Sequence, residues 1–226
     1  MPKKNSLKVY VKGGYYHVYN RGVEKRNIFE NSQDYQVFLK NLKEALSSPP
    51  KPEDVKITFT LQGFPFKGVP RLPKNFSKEI DLLAYCLMPN HFHLLIRQTN
   101  PGSMQSFLTS ISTRYSMYFN KKYSRVGTLF QGPYKAVLVN DESYILHLSR
   151  YIHLNPSKYA QNLLSTYSSY ADYLGERHTA WVKPEMILSF FNQAKLPELE
   201  KIHTYKDFVE KYKKDSAKLL GELTLE

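Results

Sequence analysis

The sequence predicts an α+β fold with helices packed on an antiparallel sheet. Three observations point there. Short runs rich in β-formers, such as YYHVYN, stand between longer stretches whose apolar residues recur at helical spacing. The 226 residues, 42% hydrophobic and 14% aromatic, suffice for one good core with an appendage. The elements follow the order β-α-β-β-β-α-β-α without an internal repeat.

Tyr15 to Asn20 reads as the first strand, ending at a turn at Arg21-Gly22. In NSQDYQVFLKNLKEAL the residues Tyr35, Phe38, Leu39, Leu42 and Leu46 trace one helical face. Asn31 or Ser32 can cap that helix, and Pro49-Pro50 closes it. Val55 to Gln62 alternates like a strand, whereas GFPFKGVPRLPKNFSKE, broken by Pro65, Pro70 and Pro73, reads as a loop. Ile80 to Met88 and Phe92 to Ile96 form two strands joined at Met88-Pro89-Asn90-His91, where proline and asparagine suit a tight turn. Ser103 to Lys121 carries a second helix, with Met104, Phe107, Leu108, Ile111 and Tyr115 on its apolar face. An extended segment at Lys135 to Val139 and a third helix, capped by Asn140 or Asp141 and running to Asn155, complete the core.

Charge is uneven along the chain. Residues 1–160 hold 23 Lys and Arg against 10 Asp and Glu, while residues 161–226 hold 9 against 10. A basic domain over 1–160, followed by a neutral C-terminal tail over 161–226, suggests a polyanion as partner for the first part. No stretch reaches the ~20 apolar residues of a membrane span, and the lysine-rich start MPKKNSLK lacks the apolar run of a signal peptide, so a cytoplasmic location is expected. The single cysteine, Cys86, lies in the apolar run LLAYCLM and reads as a buried thiol.

Two motifs carry chemistry. On a strand, His91 and His93 of HFH project to one side while Phe92 faces the other, so the imidazoles can share a divalent metal. A bare H-x-H is more often a pair of satisfied histidines, and a metal needs further ligands. In SRYIHLNP, Tyr151 and Asn155 lie four residues apart and share a helix face. Pro156 disfavours the α conformation at Asn155, which places that residue in the last turn.

Taken together, YYHVYNRG, LMPNHFHLLI, RYSMYFNKKYSRVGTLFQGPYK and YILHLSRYIHLNP resemble, in the same order, the REP-associated tyrosine transposases, relatives of the single-tyrosine HUH transposases. TYSSYADYLG and YKDFVEKY resemble the tail of that group. The resemblance implies a ferredoxin-like or RRM-like core with the histidine pair on a central strand. It implies that His91, His93 and Asn155 hold Mg²⁺ or Mn²⁺ and that Tyr151 is the nucleophile. The implied reaction is cleavage and rejoining of single-stranded DNA through a 5′-phosphotyrosine, on hairpins of REP-like palindromes, by a monomer or homodimer. Arg21, Lys25 and Arg26, at and after the NRG element, are candidate DNA contacts, as are Arg114, Lys121, Lys122, Arg125 and Lys135, although each of these last five alone is equally a solvated charge. Tyr115 and Tyr118 read as packing residues. A non-catalytic RRM-like module that binds nucleic acid is the alternative.

Overall fold

The computed structural model describes residues 8–192, 199 and 202–211. Its central sheet is built by period-2 patterning in four strands: β1 (Tyr15–Arg21), β4 (Ile80–Met88), β5 (His91–Gln98) and β6 (Lys135–Val139), in the antiparallel order β4-β5-β1-β6. Helix α1 (Ser32–Leu46) joins β1 to β4, and α2 (Ser103–Lys122) joins β5 to β6. This order is the ferredoxin-like arrangement, in which β5 and β1 are the two inner strands. Asn31 caps α1, its side chain accepting from the backbone N–H groups of Gln33 and Asp34.

Alternation sends residues to two separate cores. On one face Tyr16, Val18, Phe92, Leu94 and Ile96 meet Phe38 and Leu42 of α1 and Phe107, Ile111 and Tyr115 of α2. On the other, Leu83, Cys86, Leu95 and Val139 meet Leu146, Leu148 and Ile152 of α3 (Glu142–Leu154). Cys86 is fully buried, as its apolar setting implies, and burial pushes its thiol pKa up. The C-terminal region also joins this second core. It supplies α4 (Tyr170–Tyr173), α5 (Glu185–Asn192) and α6 (Tyr205–Lys211), with Tyr170, Ile187, Phe190, Tyr205 and Phe208 buried there. Ser168 and Val182 bridge the outer edge of β4, covering backbone groups that would otherwise be exposed. The end of the YKDFVEKY motif, Tyr212, lies outside the described residues.

One expectation fails in the insertion between α1 and β4. Ile57–Leu61 is a strand, β2, but it pairs only with β3 (Phe64–Gly68), in a segment the proline count had marked as a loop. Pro65 is tolerated because a two-stranded hairpin has only edges, and an edge strand can lack an N–H toward solvent. Ile57, Leu61, Phe64 and Phe66 are all exposed on this hairpin.

Candidate functional site

The turn between β4 and β5 is fixed before any side-chain chemistry is considered. Pro89 O accepts from Ile28 N at 2.8 Å and Phe29 N at 3.0 Å, and Asn90 O accepts from Gly22 N at 2.9 Å. Gly22 has no alternative here, because a Cβ would lie 2.2 Å from Arg26 O. The segment after β1 is thereby anchored to the start of β5, where His91 pairs with Arg21 across the sheet.

His91 and His93 share the face toward α3, while Phe92 is buried against Phe38 and Phe130 on the other face. Their rings stand edge to face, 4.9 Å apart. Tyr151, half-buried on α3, sets its ring edge-on to His93 at 5.6 Å and to His17 at 6.1 Å. Asn155 caps α3 and donates from Nδ2 to Tyr151 O at 2.9 Å. It keeps α dihedrals, φ −50° and ψ −43°, despite Pro156, because the chain continues directly into a 3₁₀ turn over Asn155–Lys158 in which proline occupies an early position. The structure thus brings His91, His93 and Tyr151 together, and Asn155 lies one helical turn beyond Tyr151.

The sequence reading missed two residues here. His17, fully buried on β1, places Nε2 2.8 Å from His93 Nδ1, with the rings near-parallel at 5.1 Å. Asn90 Oδ1 lies 2.6 Å from His91 Nδ1. The signal for His17 was strand parity, which puts it on the His91 and His93 face once β1 is paired with β5. Burial holds the His93 pKa well below the ordinary imidazole value, with His17 and His91 adding to the effect, so the ring is neutral. His93 Nε2 is buried without a hydrogen-bond partner. A neutral ring nitrogen with an unshared pair, beside a second imidazole, has donor chemistry that fits a divalent transition-metal ion. Among the described residues no group of three or more His, Cys, Asp or Glu side chains forms a metal cluster, so any further ligand must be a residue such as Asn155, substrate or water.

The candidate DNA contacts fall into distinct places. Arg21, bonded to Gln131, ends β1 beside His91, with Lys25 and Arg26 in the following turn. Lys135 starts β6 opposite Tyr19, on the histidine face, with its ammonium 5.8 Å from that ring. Lys121 is exposed near the end of α2, and Arg125 just beyond it bonds Asn120 and lies over Phe119. Arg114 pairs with Glu44 of α1, and Lys122 bonds the buried Asp34 carboxylate at 2.6 Å. Both bind the two helices of the opposite face together. Tyr115 and Tyr118 pack there too: Tyr115 donates to Ile28 O, and Tyr118 donates to Asp34 Oδ1 at 2.8 Å. Tyr19 and Phe130 are buried. His153 points away from Tyr151, into a buried network with Tyr205 and Ser169. His147 packs on Phe208.

Residues 74–155, the stretch that holds His91, His93, Tyr151 and Asn155, match the family described as transposase IS200 like. The structure of a REP-associated tyrosine transposase bound to a REP hairpin superposes with a TM-score of 0.50 at 11% identity, covering 78% of this chain and 95% of the other. A candidate transposase from Deinococcus radiodurans R1 aligns at 13% identity with a TM-score of 0.36, covering 67% of this chain and 95% of that one. Comparison with curated protein sequences finds no match. Among the described residues no helix is long and apolar enough to cross a membrane. The family match thus falls on the stretch that holds the candidate site residues, and the fold is one shared with a REP-associated tyrosine transposase.

Proposed function

We propose that this chain is a metal-dependent endonuclease and strand transferase for single-stranded, hairpin-bearing DNA, with Tyr151 as nucleophile. The observation that carries the reading is the position of the Tyr151 ring, edge-on to both His93 and His17 on the face that also presents His91. A phenol beside the neutral imidazole of His93 has the arrangement expected of a nucleophile next to a cation site. In the reaction Tyr151 Oη bonds to phosphorus, the P–O3′ bond breaks, the phenol gives up its proton and the departing 3′ oxygen gains one. The product, a 5′-phosphotyrosine with a free 3′-OH, retains a phosphodiester bond, so attack by another 3′-OH rejoins strands without an external energy source.

His91, His93 and Asn155 would hold the divalent ion. When bound, it supplies electrostatic stabilisation of the charge that builds on the phosphoryl oxygens. The remaining work belongs to the chain itself. Helix α3 fixes Tyr151 against the histidines, and Arg21, Lys25, Arg26 and Lys135 surround the site with positive charge for the DNA backbone. A hairpin of the REP type is the substrate we favour, supported by the hairpin held in the tyrosine transposase of the same fold.

Incubation of the protein with fluorescent single-stranded hairpin DNA and Mn²⁺, followed by denaturing electrophoresis, tests the reading. A covalent protein–DNA band together with a shortened free strand is expected. Hairpin binding with neither product would favour a non-catalytic nucleic-acid module instead. His91→Ala and His93→Ala should each abolish cleavage while leaving binding largely intact, because phosphate contacts elsewhere supply most of the affinity.

A further inference from the structure

His91 and His93 are each held through Nδ1, and the two holds can be read as proton assignments. Asn90 Nδ2 donates to Lys25 O at 3.2 Å, which turns Oδ1 toward His91. An amide oxygen only accepts, so His91 Nδ1 carries the proton. The contact between His93 Nδ1 and His17 Nε2 admits two arrangements. If His17 donated, the His93 proton would sit on Nε2, a buried atom with no partner. A buried N–H without an acceptor is among the rarest defects in folded proteins. If His93 Nδ1 donates, only a bare lone pair is left at Nε2. The second arrangement is the favourable one.

We infer that His17 and Asn90 are positioning residues that hold His93 and His91 as Nδ1–H tautomers, leaving both Nε2 lone pairs to ligate the divalent ion. The inference rests on the reading of those two histidines as metal ligands. Its basis is local. His17 stands opposite Leu95, diagonal to His93 on the same sheet face, and both rings are fully buried, which leaves neither room to turn. A ligating histidine whose second nitrogen is bonded gains a fixed tautomer and ring orientation. His17 lies outside the matched stretch 74–155, so the device draws on a strand that the family match does not cover.

Two measurements on the full chain, without DNA, test it. Long-range ¹H–¹⁵N NMR of histidine-labelled, metal-free protein should show protonated Nδ1 and unprotonated Nε2 in both His91 and His93. An Nε2–H tautomer at His93 would overturn the assignment. Calorimetric titration with Mn²⁺ should then show His17→Phe binding 10- to 100-fold more weakly, the range typical for loss of an outer-shell partner. His17→Gln, which keeps an acceptor, should stay within about threefold of wild type. Asn90→Ala, at the half-buried turn, should weaken binding by about tenfold, and it keeps the test open if His17→Phe does not fold. Equal losses in His17→Gln and His17→Phe would reduce His17 to a packing residue. Mn²⁺ binding insensitive to His17→Phe and Asn90→Ala would overturn this inference alone, whereas a wild-type protein that binds no Mn²⁺ would overturn the ligation reading and the inference with it.

Discussion

Tyr205→Phe isolates one of the contacts that tie the C-terminal region to the helix carrying Tyr151. The hydrogen bonds around it form one directed chain. Tyr85 N–H donates to Ser169 Oγ at 2.9 Å, and Ser169 Oγ donates to His153 Nε2 at 2.7 Å. His153 Nδ1 donates to Tyr205 Oη at 2.7 Å, Tyr205 donates to Ser149 Oγ at 3.0 Å, and Ser149 donates to Leu146 O at 2.7 Å. Strand β4, helix α3 and helix α6 are thus linked by groups that are all buried. The substitution keeps the ring, with its 4.5 Å contact to Tyr173, and removes only the hydroxyl. His153 Nδ1–H is then left without an acceptor, at roughly 1–3 kcal/mol, and Ser149 loses one donor at about 1 kcal/mol. A cost of about 2–4 kcal/mol should lower Tm by about 5–12 °C for a chain of this size. Urea and thermal denaturation measure it. Tyr173→Phe, which loses one bond to Leu83 O, serves as control and should cost about 1 kcal/mol. A loss below about 0.5 kcal/mol, or one equal to the control, would refute the directed chain.

The buried Asp34 carboxylate predicts a pH effect. Burial raises its pKa, but hydrogen bonds from Lys122, Tyr123, Glu30 N and Tyr118 outweigh that and hold it below the ordinary value. Its stabilisation is therefore complete above the ordinary aspartate pKa and is lost as pH falls through the lower folded value. Urea titrations from pH 6 to pH 3 should show Asp34→Asn with lower stability at pH 6 and a shallower acid limb, and an unchanged limb would count against the network. Hairpin affinity should fall steeply with salt, and Arg21→Ala or Lys135→Ala should each reduce the log–log slope by about 0.7 for single-stranded contacts. Arg114→Ala, whose guanidinium is committed to Glu44, should leave that slope unchanged; a change equal to that of Lys135→Ala would place DNA on the α1–α2 face.

What the sequence disclosed depended on whether the determinants were local. Strand parity put His91 and His93 on one face and Phe92 on the other, and an asparagine or aspartate before each of α1 and α3 marked their starts. Helical period likewise sent Tyr115 into the core. Two misses were local, the hairpin partner β3 and Asn90 beside His91, and the others involve partners distant in sequence. Pairing of β2 with β3 rather than with the main sheet depends on which edges are free. His17 gains its meaning only when β1 lies against β5, 76 residues away. The commitment of Lys122 to Asp34 spans 88 residues, and no charge count over the first 160 residues could separate it from a cation such as Lys135 that faces the site.

The central claim is that Tyr151 becomes covalently linked to DNA. Protease digestion of the adduct formed on a hairpin oligonucleotide with Mn²⁺, followed by mass spectrometry of the nucleotide-bearing peptide, tests it most directly. The account predicts the added 5′-nucleotide on Tyr151, and no adduct or cut strand from Tyr151→Phe although that variant folds and binds the hairpin. A nucleotide on Tyr115 or Tyr118, or cleavage by Tyr151→Phe with no adduct at all, would contradict it and assign the attack to another tyrosine or to water.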